Sequence, residues 1–162
     1  MKKSICVIGS GVIGASASWQ LAKRGFAVTI IDPLIKTPLI QSNGLNGSNA
    51  SLGVLMGNIF KKSKGKSWEL RQKSMKLWPK WIEELSTKEN ELEIEKPLVR
   101  LFTSSEETNL YKKIIKERDS LGLKCIDQQK LDYFKNILGN HIYGGLLSKN
   151  DGRINPLKLL PE

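Results

Sequence analysis

Residues 4–32 place a strand, a glycine turn, a helix and a second strand in one short stretch, with Gly9-Ser10-Gly11-Val12-Ile13-Gly14 at the turn and Asp32 at the end. The apolar run Ile5-Cys6-Val7-Ile8 is too short for a helix and reads as a buried strand; the glycines begin where a tight turn must follow. Gly9 lets the chain turn sharply, Gly11 removes the Cβ that would block an approaching pyrophosphate, and Gly14 lets the helix press against the strand. The helix then starts near Gly11, and the N–H groups of its first turn, at the positive end of the helix dipole, favour an anion. Lys23 and Arg24 followed by Gly25 are ordinary stop signals, after which Ala27-Val28-Thr29-Ile30-Ile31 reads as a second buried strand. Asp32 falls 18 residues after Gly14, where a carboxylate accepts hydrogen bonds from a ribose 2′-hydroxyl and repels a 2′-phosphate. A lone glycine turn is a weak signal. Strand, helix, strand and acid in register point to a bound dinucleotide rather than a bare structural turn. Lys2-Lys3, the apolar stretch and Ala15-Ser16-Ala17 mimic a secretory signal, but three glycines break the apolar core and the pattern runs on coherently to Asp32.

A chain of 162 residues with 40% hydrophobic content suffices for one globular domain with a core. Glycine or charge interrupts every apolar stretch short of the roughly 18 residues needed to cross a bilayer, so no transmembrane segment is expected. Cys6 and Cys125 form neither a metal spacing nor a disulfide framework, which fits a reducing, cytoplasmic setting with no metal site. The net charge of +10 favours anionic partners such as nucleotides, nucleic acid or lipid headgroups. His141, the only histidine, has no nucleophile or ligand cluster beside it and reads as a surface or packing residue. Tyr111, Tyr133 and Tyr143 are within the range of residues that reach substrates, but their spacing assigns them no role.

Past Asp32 the rhythm changes. Pro33 and Pro38 start a loop, and the stretch from Asn43 to Gly53 is rich in glycine and small polar residues. It reads either as a flexible linker or as a second cofactor-facing turn, in which Ser48 or Asn49 caps a following helix whose N-terminus points at phosphate or a flavin edge. Between Lys61 and Trp81 eight basic residues face a single acid, Glu69, with Trp68, Trp78 and Trp81 interleaved. Such a strip is able to grip a phosphate backbone. Trp78, Trp81, Ile82 and Leu85 nevertheless share helical spacing, which favours a buried face with solvated lysines opposite and argues against a nucleic-acid partner. Pro79 is expected to kink or restart that helix. Further on, a strand is expected over Leu98 to Thr103, then a capping box of Ser104 and Glu107 opening a helix that Gly122 ends, with Leu110, Ile114 and Leu121 inward. A short strand over Leu123 to Ile126, a helix over Gln128 to Leu138 and a strand over Gly144 to Ser148 follow, the last entering an Asn150-Asp151-Gly152 turn.

Taken together these segments resemble the FAD-dependent oxidoreductases of the D-amino acid oxidase type, which include glycine oxidase, sarcosine oxidase and D-amino acid dehydrogenase. The likeness rests on Val7 to Gly14 with Asp32, where the family usually has glutamate; on Ser48-Asn49-Ala50-Ser51-Leu52-Gly53-Val54-Leu55; on the helical Arg71 to Leu85 followed by Pro97 to Phe102 and Ser105-Glu106-Glu107; and on Asp151-Gly152-Arg153-Ile154-Asn155-Pro156. The resemblance implies an α/β fold: an N-terminal Rossmann-type βαβ FAD-binding unit plus part of an α+β substrate domain, incomplete. It implies that Gly9, Gly11, Val12, Ile13 and Gly14 cradle the FAD diphosphate, that Asp32 and Pro33 contact the adenosine ribose region, and that Ser48, Leu52, Gly53 and Val54 lie near the flavin. It also implies oxidation of a C–N bond in a small amino acid or amine, with hydride passing to the flavin and an imine left for water to hydrolyse. The catalytic residues stay unassigned.

The expected domains are 1–58 for the FAD-binding unit and flavin-side loop, 59–150 for the substrate side, and 151–162 for a turn and helix start returning to the first. Asn155 and Pro156 suit the start of that helix, and Pro161 stops it within about one turn. Family members run to more than twice this length, and only two strands of the doubly wound type are visible, so the chain is expected to be the front part of a truncated or split enzyme, inactive without a complementing C-terminal chain. An NAD-binding dehydrogenase fragment and a noncatalytic basic nucleic-acid module are the competing readings. The first should continue with further βα units after Asp32, which this sequence does not.

Overall fold

The computed structural model of the chain describes residues 2–33 and 47–160; the expected loop residue Pro38, the Asn43 to Asn46 portion of the glycine-rich stretch and Pro161 lie outside the described residues. The chain divides into two compact units, Met1–Gly53 with Glu89–Glu91 and Asn155–Glu162, and Val54–Lys88 with Leu92–Ile154. The boundary thus falls after Gly53 rather than residue 58, and Asp151 to Ile154 group with the second unit.

In the first unit, β1 (Ser4–Ile8), α1 (Val12–Lys23) and β2 (Ala27–Ile31) form a βαβ, with β1 and β2 parallel and Ile5 beside Val28, Val7 beside Ile30. Both strands alternate exposed and half-buried residues. A fully buried strand would not alternate; here one face, carrying Ile5, Val7, Val28 and Ile30, is partly covered and the other is open. At the carboxyl ends Ile8 is 86% and Ile31 55% exposed. Gly25 takes φ +86° immediately after the helix, the left-handed geometry expected of its stop signal. A short helix, α5 (Pro156–Leu159), is capped by Asn155, whose side chain accepts from Leu157 N–H, and Asn90 Nδ2 donates to Lys158 O at 2.8 Å.

The second unit holds the core. Strands β4 (Leu98–Phe102), β6 (Gly144–Ser148) and β5 (Leu123–Cys125) form an antiparallel sheet in that order. α3 (Ser105–Glu117) contributes Tyr111, Ile114 and Ile115 to a cluster with Ile59, Phe102, Leu123 and Leu146. Tyr111 is therefore a core residue, stacked on Phe102 at 4.9 Å between ring centres, and not available to a substrate. Every fully buried isoleucine, leucine, phenylalanine and tyrosine among the described residues belongs to this unit. Ser104 caps α3 by accepting from Glu107 N–H, while the Glu107 carboxylate reaches past the cap to Arg100 and Thr103 N–H. α3 ends at Glu117, before the expected Gly122; a tight 3-10 turn over Asp119–Leu121 follows, and Gly122 closes that instead at φ +78°. α4 (Gln128–Leu138) is capped by Asp127, and the hydrogen bond from Lys130 N–H holds the Asp127 carboxyl below its ordinary pKa. β3 (Val54–Leu55) pairs antiparallel with β7 (Gly152–Arg153).

α2 (Lys66–Leu85) is one continuous helix that starts five residues before the expected Arg71 and carries Pro79 without a break. Its inner face is half-buried only, and Trp78 and Trp81 meet edge to face at 5.6 Å. The segment leading to it, Gly57 to Lys61, is gripped from both sides by buried charge. Asp151, fully buried, accepts from the backbone N–H groups of Gly57, Asn58 and Ile59 and from Ser148 Oγ. Arg118, 5% exposed, donates to the carbonyls of Asn58, Phe60 and Lys61 and lies over the Trp68 ring; burial pulls its pKa down from the usual arginine range. A single ammonium does not reproduce that planar fork. Arg118→Lys is expected to lower unfolding stability by about 2 kcal/mol in urea denaturation; a loss below half that figure would show that the fork is dispensable.

Candidate functional site

The site expected from the glycine turn lies within the first unit. Gly9 sits at φ +100°, a conformation that disfavours any side chain, and its N–H donates to Ile31 O at 2.9 Å, tying the turn to the end of β2. A Cβ at Gly14 would lie 1.9 Å from Gly9 O and 2.9 Å from Gly9 C, so α1 approaches the turn as closely as glycine alone allows. The helical ladder opens with Ala15 N–H donating to Gly11 O at 2.8 Å. The N–H groups of Gly11, Val12, Ile13 and Gly14 therefore fall outside that ladder, at the positive end of the helix. Val12 and Ile13 are 42% and 82% exposed, so solvent reaches this mouth.

Asp32 stands directly beside the turn: Ser10 N–H donates to its Oδ2 at 2.6 Å. This short charge-assisted bond fixes the carboxylate beside the glycine turn. Pro33 follows in a turn. Ser48 is placed differently from expectation. Its Oγ accepts from Val12 N–H at 2.9 Å and would be 3.1 Å from a Cβ at Gly11, so the hydroxyl belongs to the mouth of α1. Leu52 is 77% exposed, and Gly53 takes φ +64° at the end of the first unit. Val54 opens β3 in the second unit.

The glycines, the helix mouth, Asp32 and Ser48 thus converge within the first unit. The Ser48 tie was not readable in the sequence, because it joins residues 36 apart. Small polar residues after Asp32 were the only hint. Among the described residues no cluster of histidine, cysteine or acidic side chains is suited to a metal ion, and Cys6 and Cys125 are free thiols. His141 is exposed beside Gly139, and Tyr133 and Tyr143 are 60% and 56% exposed.

Comparison with known proteins agrees with this geometry. The family model described as DAO, FAD dependent oxidoreductase, matches residues 4–162. Among solved structures the chain is similar to glycine oxidase from Geobacillus kaustophilus, with TM-score 0.74 and 24% identity over 96% of this chain and 41% of that one. It is likewise similar to glycine oxidase from Bacillus cereus, with TM-score 0.71 and 22% identity over 99% of this chain and 42% of that one. At these identities the likeness bears on the fold. Among curated proteins, the methylenetetrahydrofolate–tRNA-(uracil-5-)-methyltransferase TrmFO of Listeria welshimeri is 38% identical over 68 residues, covering 34% of this chain and 16% of that protein. The chain therefore spans about two fifths of the glycine oxidases and a smaller share of the methyltransferase. FAD is the cofactor of this family, and the first-turn N–H groups of α1, which lie outside the helical ladder, have the chemistry to hold its anionic diphosphate. With nearly its whole length matched, this chain belongs to the FAD-dependent oxidoreductase family of the D-amino acid oxidase type.

Proposed function

We propose that the chain is the nucleotide-holding part of a flavoenzyme that oxidises the C–N bond of a small amino acid or amine. The observation that carries this reading is the bond from Ser10 N–H to Asp32 Oδ2, which sets an acid beside an open helix mouth. In this reading Gly9, Gly11, Val12, Ile13 and Gly14 hold the diphosphate through backbone N–H groups, and Ser48 Oγ turns from Val12 N–H to the same anion. Asp32 and Pro33 meet the adenosine ribose; Leu52, Gly53 and Val54 lie toward the flavin. When bound, FAD supplies the electron acceptor for the oxidation. The chain's own residues bind and orient it. The two glycine oxidases support an amino acid or amine as substrate. The open outer face of the β1–β2 sheet supports a complementing C-terminal chain, since parallel sheets are ordinarily covered on both faces. The interrupted βα rhythm, with β3 pairing antiparallel to β7, disfavours an NAD domain.

The test is nucleotide titration of the purified chain followed by amide NMR. FAD and ADP are expected to shift the amides of residues 9–14, and the 2′-phosphorylated analogue of ADP to bind about tenfold more weakly, through repulsion by Asp32. Asp32→Asn should erase that discrimination. Unmoved amides at Gly9 to Gly14 with both FAD and ADP would sink the reading.

A further inference from the structure

The outward face of α2 carries a pattern that nucleotide binding does not use. Lys66, Leu70, Lys73, Leu77 and Lys80 follow one another at spacings of four, three, four and three, which places them on a single line along the helix. Contacts within the unit settle which way that line faces. On the other side Arg71 lies over the Phe60 ring, Trp68 lies under Arg118, and Gln72 Nε2 donates to Gly57 O. All five residues of the line are exposed, Leu70 at 65% and Leu77 at 43%. Lys61, Lys62 and Lys64, also exposed, extend the charge ahead of the helix. Glu69 is the only acid between Lys61 and Lys80, and Lys80 pairs with Glu84 at 3.7 Å.

We propose that this face docks on an anionic lipid bilayer, the lysines meeting the headgroups and Leu70 and Leu77 entering the acyl boundary between them. Lysines flanking aliphatic side chains on one helix face match such a surface in both charge and polarity. A nucleic acid would match the charge alone. It rewards stacking aromatics, and here Trp68, Trp78 and Trp81 are half-buried on the inner side while the outward apolar groups are leucines. The proposal does not depend on what the first unit binds.

Co-sedimentation with vesicles tests it. The purified chain is expected to bind vesicles of phosphatidylcholine mixed with phosphatidylglycerol, to ignore phosphatidylcholine alone, and to be released by high salt. Leu70→Gln with Leu77→Gln should weaken binding about tenfold at unchanged charge, and Lys66→Glu with Lys73→Glu should abolish it. These exposed substitutions leave the core untouched, and an unchanged melting curve for each variant verifies that the comparison is between folded proteins. No binding to anionic vesicles, binding indifferent to the leucines, or tighter retention on a duplex oligonucleotide than on the vesicles would each overturn the proposal.

Discussion

Substituting Gly14→Ala is expected to cost about 3 kcal/mol of stability in the first unit and to lower nucleotide affinity at least a hundredfold. The added methyl would sit 1.9 Å from Gly9 O and 3.5 Å from Val7 Cγ1. The obstacle is backbone, which cannot swing aside as a side chain can. Relief requires either that α1 moves off the sheet or that the turn opens, and both displace the N–H groups proposed to hold the diphosphate. Gly25→Ala is the contrasting control, since Gly25 occupies a positive φ, as Gly14 does not, and nothing lies within 4 Å of its Cβ. Its cost is confined to backbone strain of about 1 kcal/mol, with nucleotide affinity unchanged. Thermal unfolding and ADP titration of the two variants separate the effects. Equal affinities would show that close helix packing at Gly14 plays no part in binding.

Removing the carboxylate in Asp151→Ala is expected to destabilise the second unit by about 3–5 kcal/mol, because it strands several buried donors at once. Gly57, Asn58 and Ile59 lose the acceptor of their backbone N–H groups, at distances of 2.7 to 3.0 Å, and Ser148 Oγ loses its partner at 2.9 Å. Small domains have total stabilities of about 5–15 kcal/mol, so this variant falls near the folding limit. Ser148→Ala removes one donor and leaves the carboxylate satisfied by the backbone, at a cost of about 1 kcal/mol. Urea denaturation checks both. A loss under 1 kcal/mol for the alanine variant would mean that the Gly57 to Ile59 segment is held by packing alone.

What the sequence disclosed follows the range of the forces involved. The βαβ, the ends of α1 and α4, the strand over 144–148 and the Asn155 cap were readable because each is set by residues within a few positions of one another. The helix α2 was placed late, since its first turn, Lys66-Ser67-Trp68-Glu69, has no side-chain cap to announce it. Pro79 does not restart the helix, which runs through it from Lys66 to Leu85. The pairing of β3 with β7 and the Asp151 and Arg118 grips join residues 57 to 99 positions apart, beyond any local pattern. In the site, Gly9, Gly11, Gly14 and Asp32 followed from fixed spacing. Ser48 was recognised as a small residue near the cofactor, but its place at the mouth of α1 depends on a loop whose path no periodicity encodes.

The distribution of the core has a thermodynamic consequence. Among the described residues of the first unit the isoleucines and valines are half-covered or in solvent, and those fully buried are Ser18 and Pro156. Little apolar area is withdrawn from water there to offset the ordering of the backbone. A nucleotide present at a hundred times its dissociation constant would add about 2.7 kcal/mol to such a unit. A nucleotide held at the helix mouth would then supply part of the interior that the described polypeptide leaves open, and the melting temperature at this end of the chain should rise with nucleotide concentration.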